Sequence, residues 1–210
     1  MSVLFSFMAH SLVIMCLCLA ILQVKRWGKF WPLGYAMAAV VMVLPVGHWL
    51  VIEFSRGLLG DLSLASILML ATYLLCIMKK ERINNASSFN GLVILMAVIL
   101  YPSSLGYSQF DMYSIGFASD VFYNYFIMTI AAIGIIAWYM GYAQIAIWLT
   151  LSVLAHGLNI FESNNLWNYL LDPLVVIACF ISAFLKACKH VLNKFKSDAR
   201  NGGSHVQSNA

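Results

Sequence analysis

Apolar runs long enough to cross a lipid bilayer recur from one end of this chain to the other. A transmembrane helix needs about 20 mostly apolar residues, and only short polar segments separate such runs here. The composition agrees, because 62% of the residues are hydrophobic and 10% are charged, whereas roughly a quarter are charged in soluble domains. We therefore expect an all-α fold, a polytopic membrane helix bundle with about seven transmembrane helices.

The predicted spans follow the apolar runs in chain order. The first run lacks the basic start of a cleaved signal peptide and is followed by Lys25, so we expect an uncleaved span. Gly141 and Tyr142 alone break the run between the fifth and sixth spans, which predicts a tight antiparallel helix pair. We expect residues 1–190 to form the transmembrane domain and residues 191–210 a tail that is basic and then disordered. The spans after the first are Phe30–Phe54, Leu62–Met78, Gly91–Tyr107, Val121–Tyr139, Gln144–Phe161 and Leu166–Leu185.

The basic residues predict the orientation of this bundle. Every Lys and Arg except Arg56 falls in the segments after the first, third and seventh spans, on one side of the predicted membrane. The positive-inside rule makes that side the cytoplasm, so the N-terminus is expected outside and the C-terminus inside, in a bacterial inner membrane. The basic tail fits a topology signal that also contacts anionic headgroups. We therefore expect the lipid bilayer as a partner and not nucleic acid.

A stretch rich in polar residues, Pro45–Ser66, lies between the second and third apolar runs. Pro45 and Gly47 are expected to bend the second span just before His48, because proline removes a backbone donor and glycine permits close approach. His48 would then point into the bundle. The sequence predicts that the other polar residues on the outer side gather around this stretch.

Arg56 is the only basic residue expected on the outer side. It follows Glu53 by three residues, so the two side chains could pair at the end of the second span. Alternatively, the guanidinium group could bind a phosphate or carboxylate in a bidentate fashion. Asp61 comes after two glycines, where it is expected to cap the start of the third span.

Polar residues also recur in the sixth predicted span. Ser152, His156, Asn159 and Ser163 have spacings of four, three and four, which puts them on one helix face. One interpretation is hydrogen bonding between helices, for which such side chains are common in membranes. The other is that this polar stripe forms a wall of a cavity open to the outer side.

Two further segments are expected at the outer surface. Residues 103–119 combine aromatic and small residues, as in interfacial loops, and Asp120 then stands where an N-cap would start the fifth span. Before the seventh span, Trp167 and Tyr169 are expected to anchor the chain at the interface. Asp172 lies nearly two turns inside that span, so it is a site candidate, although a hydrogen bond to a neighbouring Tyr or Asn would also explain it.

His10, His48 and His156 all fall in the outward halves of their predicted spans. They are weak candidates for a metal site completed by outer carboxylates, since no HxxxH spacing supports them. A P-loop and the GxGxxG, HExxH and GxSxG motifs are missing from the sequence. The cofactor therefore stays unassigned, and whether the protein is an enzyme stays open.

Three functional hypotheses follow. The first is a polytopic membrane protein whose outward-facing polar pocket binds or transports an anionic or lipid-linked envelope compound, with Arg56 contacting the anion. The second is a non-catalytic accessory subunit that docks onto another membrane protein. The third is a membrane-embedded hydrolase or transferase that uses a metal or an acid-base pair. The pocket candidates are His48, Glu53, Arg56, Asp61, Asp120, His156, Asn159 and Asp172.

Overall fold

A computed structural model describes the backbone of residues 2–22, 31–79 and 86–204. This part of the chain is mostly helical, as the all-α prediction requires. One two-stranded hairpin pairs β1 (Pro45–Val46) with β2 (Trp49–Leu50) in antiparallel register, and a short 3₁₀ helix covers Ser114–Gly116. The helices are α1 (Ser2–Ile21), α2 (Trp31–Met42), α3 (Val51–Leu59), α4 (Leu64–Lys79), α5 (Ala86–Ser104), α6 (Tyr123–Tyr139), α7 (Ala143–Gly157), α8 (Trp167–Leu170) and α9 (Pro173–Ser204).

The helices pack around two apolar cores. Val13 and Cys16 of α1 pack in the smaller core with Leu70 and Leu74 of α4, because side chains three or four residues apart share one helix face. The larger core joins α5, α6, α7 and α9 around Trp148, whose side chain is completely buried. The N-terminal part of α4 belongs to the larger core, whereas Leu70 and Leu74 further along α4 belong to the smaller one. Helix α4 therefore holds the two halves of the molecule together.

The tight link between α6 and α7 is confirmed. Helix α6 ends at Tyr139 and α7 begins at Ala143, so three residues separate the two helices. Gly141 adopts a positive φ of 80°, a conformation that glycine reaches without steric cost. The N–H of Tyr142 donates to the carbonyl of Ala137 at 2.8 Å, which closes the end of α6.

The second predicted span is wrong as a continuous helix through residue 54. Helix α2 ends at Met42, and the chain then forms the β1–β2 hairpin before α3 begins at Val51. The reason is local, because Pro45 cannot donate within a helix and Gly47 takes a positive φ of 66° in the hairpin turn. His48 lies in this turn and is exposed, so its expected position inside the bundle is wrong.

The seventh predicted span begins later than expected. Residues 167–170 form the separate short helix α8, Leu171 is extended, and α9 starts at Pro173. Proline is favoured at the first position of a helix, because an N–H at that position has no acceptor within the helix and proline loses nothing by lacking one. Helix α9 then continues to Ser204, whereas the later part of the 191–210 tail was expected to be disordered. Residues 205–210 lie outside the described part of the chain.

One end of the bundle is built from three segments, 43–63, 105–122 and 158–172, which we call the polar cap, and the third segment contacts the other two. The Leu166 N–H donates to the Gly116 carbonyl at 2.9 Å, and the indole N–H of Trp167 donates to the carbonyl of Met112 at 2.8 Å. Trp167 and Tyr169 are buried within the cap. The prediction that they anchor the chain at a membrane surface is wrong, because loops of the same protein supply their polar partners.

Within the described ranges, two helices are long and apolar enough to cross a membrane, over Ser87–Ser104 and Pro173–Lys194. Length and composition alone carry that statement. The other apolar helices are shorter and cover Ser6–Ile21, Pro32–Met42, Leu64–Cys76, Tyr123–Tyr139 and Ala143–Gly157. The structure therefore gives a helical bundle with two helices of spanning length. The basic residues Lys25, Arg26, Lys29, Lys80 and Arg82, which carried the predicted orientation, lie outside the described residues.

Candidate pocket in the polar cap

Asp172 connects the N-terminal ends of two helices. One carboxylate oxygen accepts hydrogen bonds from the Val175 N–H in α9 and from the Ser66 hydroxyl in α4, both at 2.8 Å. The other oxygen accepts from the N–H of Ser63 at 2.6 Å. The side chain is buried, and helix N-termini favour negative charge, so this position suits an ionised carboxylate. Asp172 is thus the N-cap of α9 and hydrogen-bonds to the start of α4, and it does not lie within the span where it was expected.

A pocket of about 440 Å³ opens beside this carboxylate. Asp61 contributes a carboxylate that has no hydrogen-bond or ion-pair partner among the residues that the structure describes. The expected capping role of Asp61 is wrong, because α4 starts at Leu64 and the Ser63 hydroxyl accepts the N–H of Ser66 at 3.3 Å. Asp61 is left free to meet a ligand. The lining residues are Asp61, Phe161, Glu162, Ser163, Asn168, Leu171, Asp172 and Pro173.

Arg56 stands next to the pocket through its partner Glu162. The guanidinium lies 3.7 Å from the Glu162 carboxylate, and the Arg56 and Glu162 side chains are 30% and 66% exposed. It also lies over the ring of Phe7, at 5.9 Å from the ring centroid. Glu53 instead accepts the N–H of Leu50 at 2.8 Å, at the start of α3. The predicted Glu53–Arg56 pair is therefore wrong, and Arg56 pairs with a residue about a hundred positions away.

His156 has a partner on each ring nitrogen. Its Nε2 lies 3.2 Å from the carbonyl of Asn164, which can only accept, so this nitrogen carries the proton. Nδ1 then accepts from the hydroxyl of Tyr123 at 2.9 Å. Ser152 donates to the carbonyl of Tyr169 at 3.2 Å. These contacts agree with the interpretation in which the polar side chains of α7 bond to neighbouring elements.

The polar stripe of the sixth span is shorter than expected. Helix α7 ends at Gly157, so Asn159 and Ser163 lie beyond it and do not share its face. Asn159 has a positive φ of 49°, a conformation that asparagine tolerates better than most residues and that ends the helix here. Ser163 turns into the cap, where its hydroxyl accepts from the Asn168 amide at 2.7 Å.

The three histidines proposed as metal ligands lie apart in the fold. His10 is completely buried in α1 and donates from Nε2 to the carbonyl of Gly60 at 2.9 Å. Its Nδ1 lies 3.1 Å from the Ser55 hydroxyl, while His48 is exposed in the hairpin turn. Within the described residues, no group of three His, Cys, Asp or Glu side chains is close enough to hold a metal ion.

Asp120 lies in another part of the polar cap. Its carboxylate accepts the N–H of Phe122 at 2.8 Å, in the turn before α6. The expected N-cap is displaced, because α6 begins at Tyr123 and its N-cap position is Phe122. Asp120 does not line the pocket.

The structure thus brings together only part of the predicted set. Asp61 and Asp172 line the pocket, and Arg56 reaches its rim through Glu162. Ser163 lines the pocket from a loop and not from the helical stripe in which it was expected to line a cavity. Asn168 was not assigned to a pocket from the sequence, although its polar segment, residues 162–168, was visible as a break between two apolar runs. Comparison with protein-family models, with curated proteins and with solved structures gives no match.

Proposed function

We propose that this protein is a multi-pass membrane protein whose pocket in the polar cap binds the polar head of a lipid-linked compound on the outer side of the membrane. The membrane location is supported by the outward faces of the helices. Ile177, Ile181 and Phe184 of α9 are exposed, as are Ile135 and Trp138 of α6. Only 17% of the Pro173–Lys194 segment is buried, which is too little for the core helix of a soluble protein.

In the orientation proposed for the protein, the polar cap lies on the outer side of the membrane. All three cap segments lie at the ends of helices opposite to the sequence positions of the basic clusters, apart from Arg56. Basic residues concentrate on the cytoplasmic side of membrane proteins. In this orientation the pocket faces the periplasmic side of a bacterial inner membrane, where lipid-linked envelope compounds are exposed.

The position of Pro173 is the observation that supports a lipid-linked ligand. This residue lines the polar pocket and is also the first residue of α9. Exposed apolar side chains follow it on one face of the helix at Ile177, Ile181 and Phe184, because residues about four apart lie above one another. A ligand with its head in the pocket would therefore have its acyl or prenyl chain along α9.

The charges of the pocket favour a head that carries hydroxyl or amino groups. The carboxylates of Asp61 and Glu162 can accept hydrogen bonds from a ligand. Asn168 and Ser163 also line the pocket, but their side chains already bond to each other. Arg56 is the cation expected to bind an anion, and its guanidinium lies 3.7 Å from the Glu162 carboxylate. A phosphate or carboxylate head in the pocket would also face the carboxylates of Asp61 and Glu162, which repel it. A hydroxylated or amine-bearing head meets no such repulsion.

The test is native mass spectrometry of the protein extracted from its own membrane in mild detergent. We expect a retained lipid-linked compound, and about a tenfold or greater loss of it in Asp61→Asn and in Glu162→Gln, because a hydrogen bond to a charged group contributes about 1.5–3 kcal/mol. Asp120→Asn is the matched control, since it changes an outer carboxylate away from the pocket. Equal retention by all three variants would contradict the proposed site.

One observation favours the accessory-subunit hypothesis as a second candidate. A groove of about 530 Å³ runs between α6 and α7 and is lined almost entirely by apolar and small residues, including Gly134, Ala146 and Leu154. Small residues let helix backbones approach closely in membranes. The same mass spectrum tests this hypothesis, because a second protein chain in fixed ratio would support it and a lone chain would not.

A further inference from the structure

The hairpin and α3 together present exposed apolar side chains that belong to neither core, while Leu59 at the end of α3 packs against the smaller core. We define this outer hairpin–helix unit as residues 45–59, from β1 to the end of α3. The side chains of Trp49, Phe54 and Leu58 are 64%, 56% and 73% exposed, and none of the α3 residues is buried. Phe54 and Leu58 are four residues apart, so they lie on one face of α3.

Two of the three polar side chains of α3 are turned toward other helices or loops, while Glu53 accepts the N–H of Leu50 at the start of its own helix. Ser55 contacts the ring of His10 in α1, and Arg56 contacts Glu162 and the ring of Phe7. A surface helix in water has the opposite arrangement, with its apolar face toward the core and its polar face outward. The surroundings of α3 are therefore expected to be apolar on the side of Phe54 and Leu58.

The backbone of the hairpin is also suited to a place with little water. The N–H of Val51 donates to the carbonyl of Leu44 at 3.0 Å, and β1 and β2 pair with each other over Pro45–Leu50. Pro45 has no N–H to satisfy. Irregular backbone is tolerated near the hydrocarbon only when its polar groups find partners in this way.

The exposed side of α2 also leads into this unit. Helix α2 ends at Met42, and β1 begins at Pro45. Exposed apolar side chains lie on α2 at Leu33, Met37 and Val40, and another follows at Leu44 in the segment that leads into the hairpin. The lipid-facing surface of α2 therefore continues into the hairpin–helix unit without a polar break.

We infer that the outer hairpin–helix unit lies in the boundary between headgroups and acyl chains of the outer leaflet, with Trp49, Phe54 and Leu58 inserted among lipids. Tryptophan is favoured at this depth because its ring is apolar and its N–H is polar. His48 at the exposed turn would reach the headgroups. This inference rests on the membrane location proposed above, but not on the ligand of the pocket.

The test is photocrosslinking from p-benzoylphenylalanine, introduced separately in place of Phe54 and of Leu58. The full chain is reconstituted in vesicles of phosphatidylethanolamine and phosphatidylglycerol, irradiated, and analysed by mass spectrometry for the class of adduct. Ile177, exposed on α9, is the reference for a lipid-facing position, and Asp111, exposed in the 105–122 segment and away from the pocket, is the reference for a water-facing one.

We expect phospholipid adducts at positions 54 and 58 in about the same yield as at position 177, and a much lower yield at position 111. Lipid adducts at 177 with none at 54 and 58 would overturn the inference and leave the membrane location standing. Lack of lipid adducts at all positions would overturn both. Adducts between two protein chains at positions 54 and 58, with no lipid adducts there, would overturn the inference and show that a second copy of the chain covers this surface.

Discussion

At the scale of single residues, Asp172 has the largest structural role among the candidates named from the sequence. It accepts three hydrogen bonds, from Ser63, Ser66 and Val175. A carboxylate with this many donors cannot be removed without leaving several of them unpaired in a buried place. The same side chain borders the pocket, so its role in binding has to be separated from its role in stability.

Asp172→Ala is expected to lower the free energy of unfolding by about 2–4 kcal/mol, because it leaves buried donors unpaired at two helix ends. Asp172→Asn keeps one acceptor oxygen and should lose less. Asp120→Ala is the control, since it removes a single exposed hydrogen bond to Phe122. Unfolding measured by titration with a denaturing detergent in mixed micelles checks the order. Equal losses for Asp172→Ala and Asp120→Ala would contradict the assigned role.

The partner of Asp172 could not be found from the sequence. Its position deep in an apolar segment marked it as unusual, but Ser63 lies 109 residues earlier in the chain. A local sequence pattern predicts where helices form, but it does not predict which helix ends contact each other. The same limit explains Arg56, for which Glu53 was the nearest acid in sequence and Glu162 is the partner in space.

At the scale of elements, the hairpin between α2 and α3 is the main departure from the predicted helices. The segment from Val43 to Phe54 is as apolar as a helical span, and hydrophobicity alone does not distinguish a helix from a short hairpin. The signal was present in Pro45 and Gly47, which were interpreted as a bend. The helix pair α6–α7 was predicted correctly because Gly141 interrupts a run that is otherwise uniform on both sides.

Gly47→Val is expected to destabilise the protein by about 1–2 kcal/mol, because a residue with a Cβ is strained at positive φ. The site has open space, so the loss would come from the backbone and not from a collision. Gly57→Ala is the matched control, since Gly57 lies in α3 with open space around it and alanine favours a helix by about 0.5–1 kcal/mol.

Both glycine variants are compared by thermal unfolding in detergent. We expect the midpoint to fall for Gly47→Val and to rise or stay unchanged for Gly57→Ala. A rise for Gly47→Val would mean that the segment is not a turn with positive φ. It would favour the continuous helix that the apolar pattern predicted.

At the scale of the whole molecule, the arrangement is two apolar cores joined by α4 and closed at one end by the polar cap. The contacts inside the cap join α1, α3 and the loops before α6 and α9, so the pocket depends on elements from both halves. The proposed function requires this end to face outward. That orientation can be measured without knowing the ligand.

Reporter fusions are the corresponding measurement. Alkaline phosphatase fused in the α5–α6 loop, at residues 105–110, is expected to be active because the enzyme matures only outside the cytoplasm. A fluorescent protein fused after Ala210 is expected to be bright, and one placed in the 80–85 segment should be bright as well. The reverse pattern at both kinds of site would invert the proposed orientation and would place the pocket in the cytoplasm.

The tie between Asp172 and α4 also bears on how the molecule is made. The ribosome synthesises α4 long before it reaches Asp172, 109 residues after Ser63. During that interval the Ser63 N–H and the Ser66 hydroxyl lack the Asp172 carboxylate, so the start of α4 gains its final hydrogen bonds only when the chain has reached α9. A product that stops before α9 would therefore lack more than its final helix, because it would also leave an earlier one unfinished.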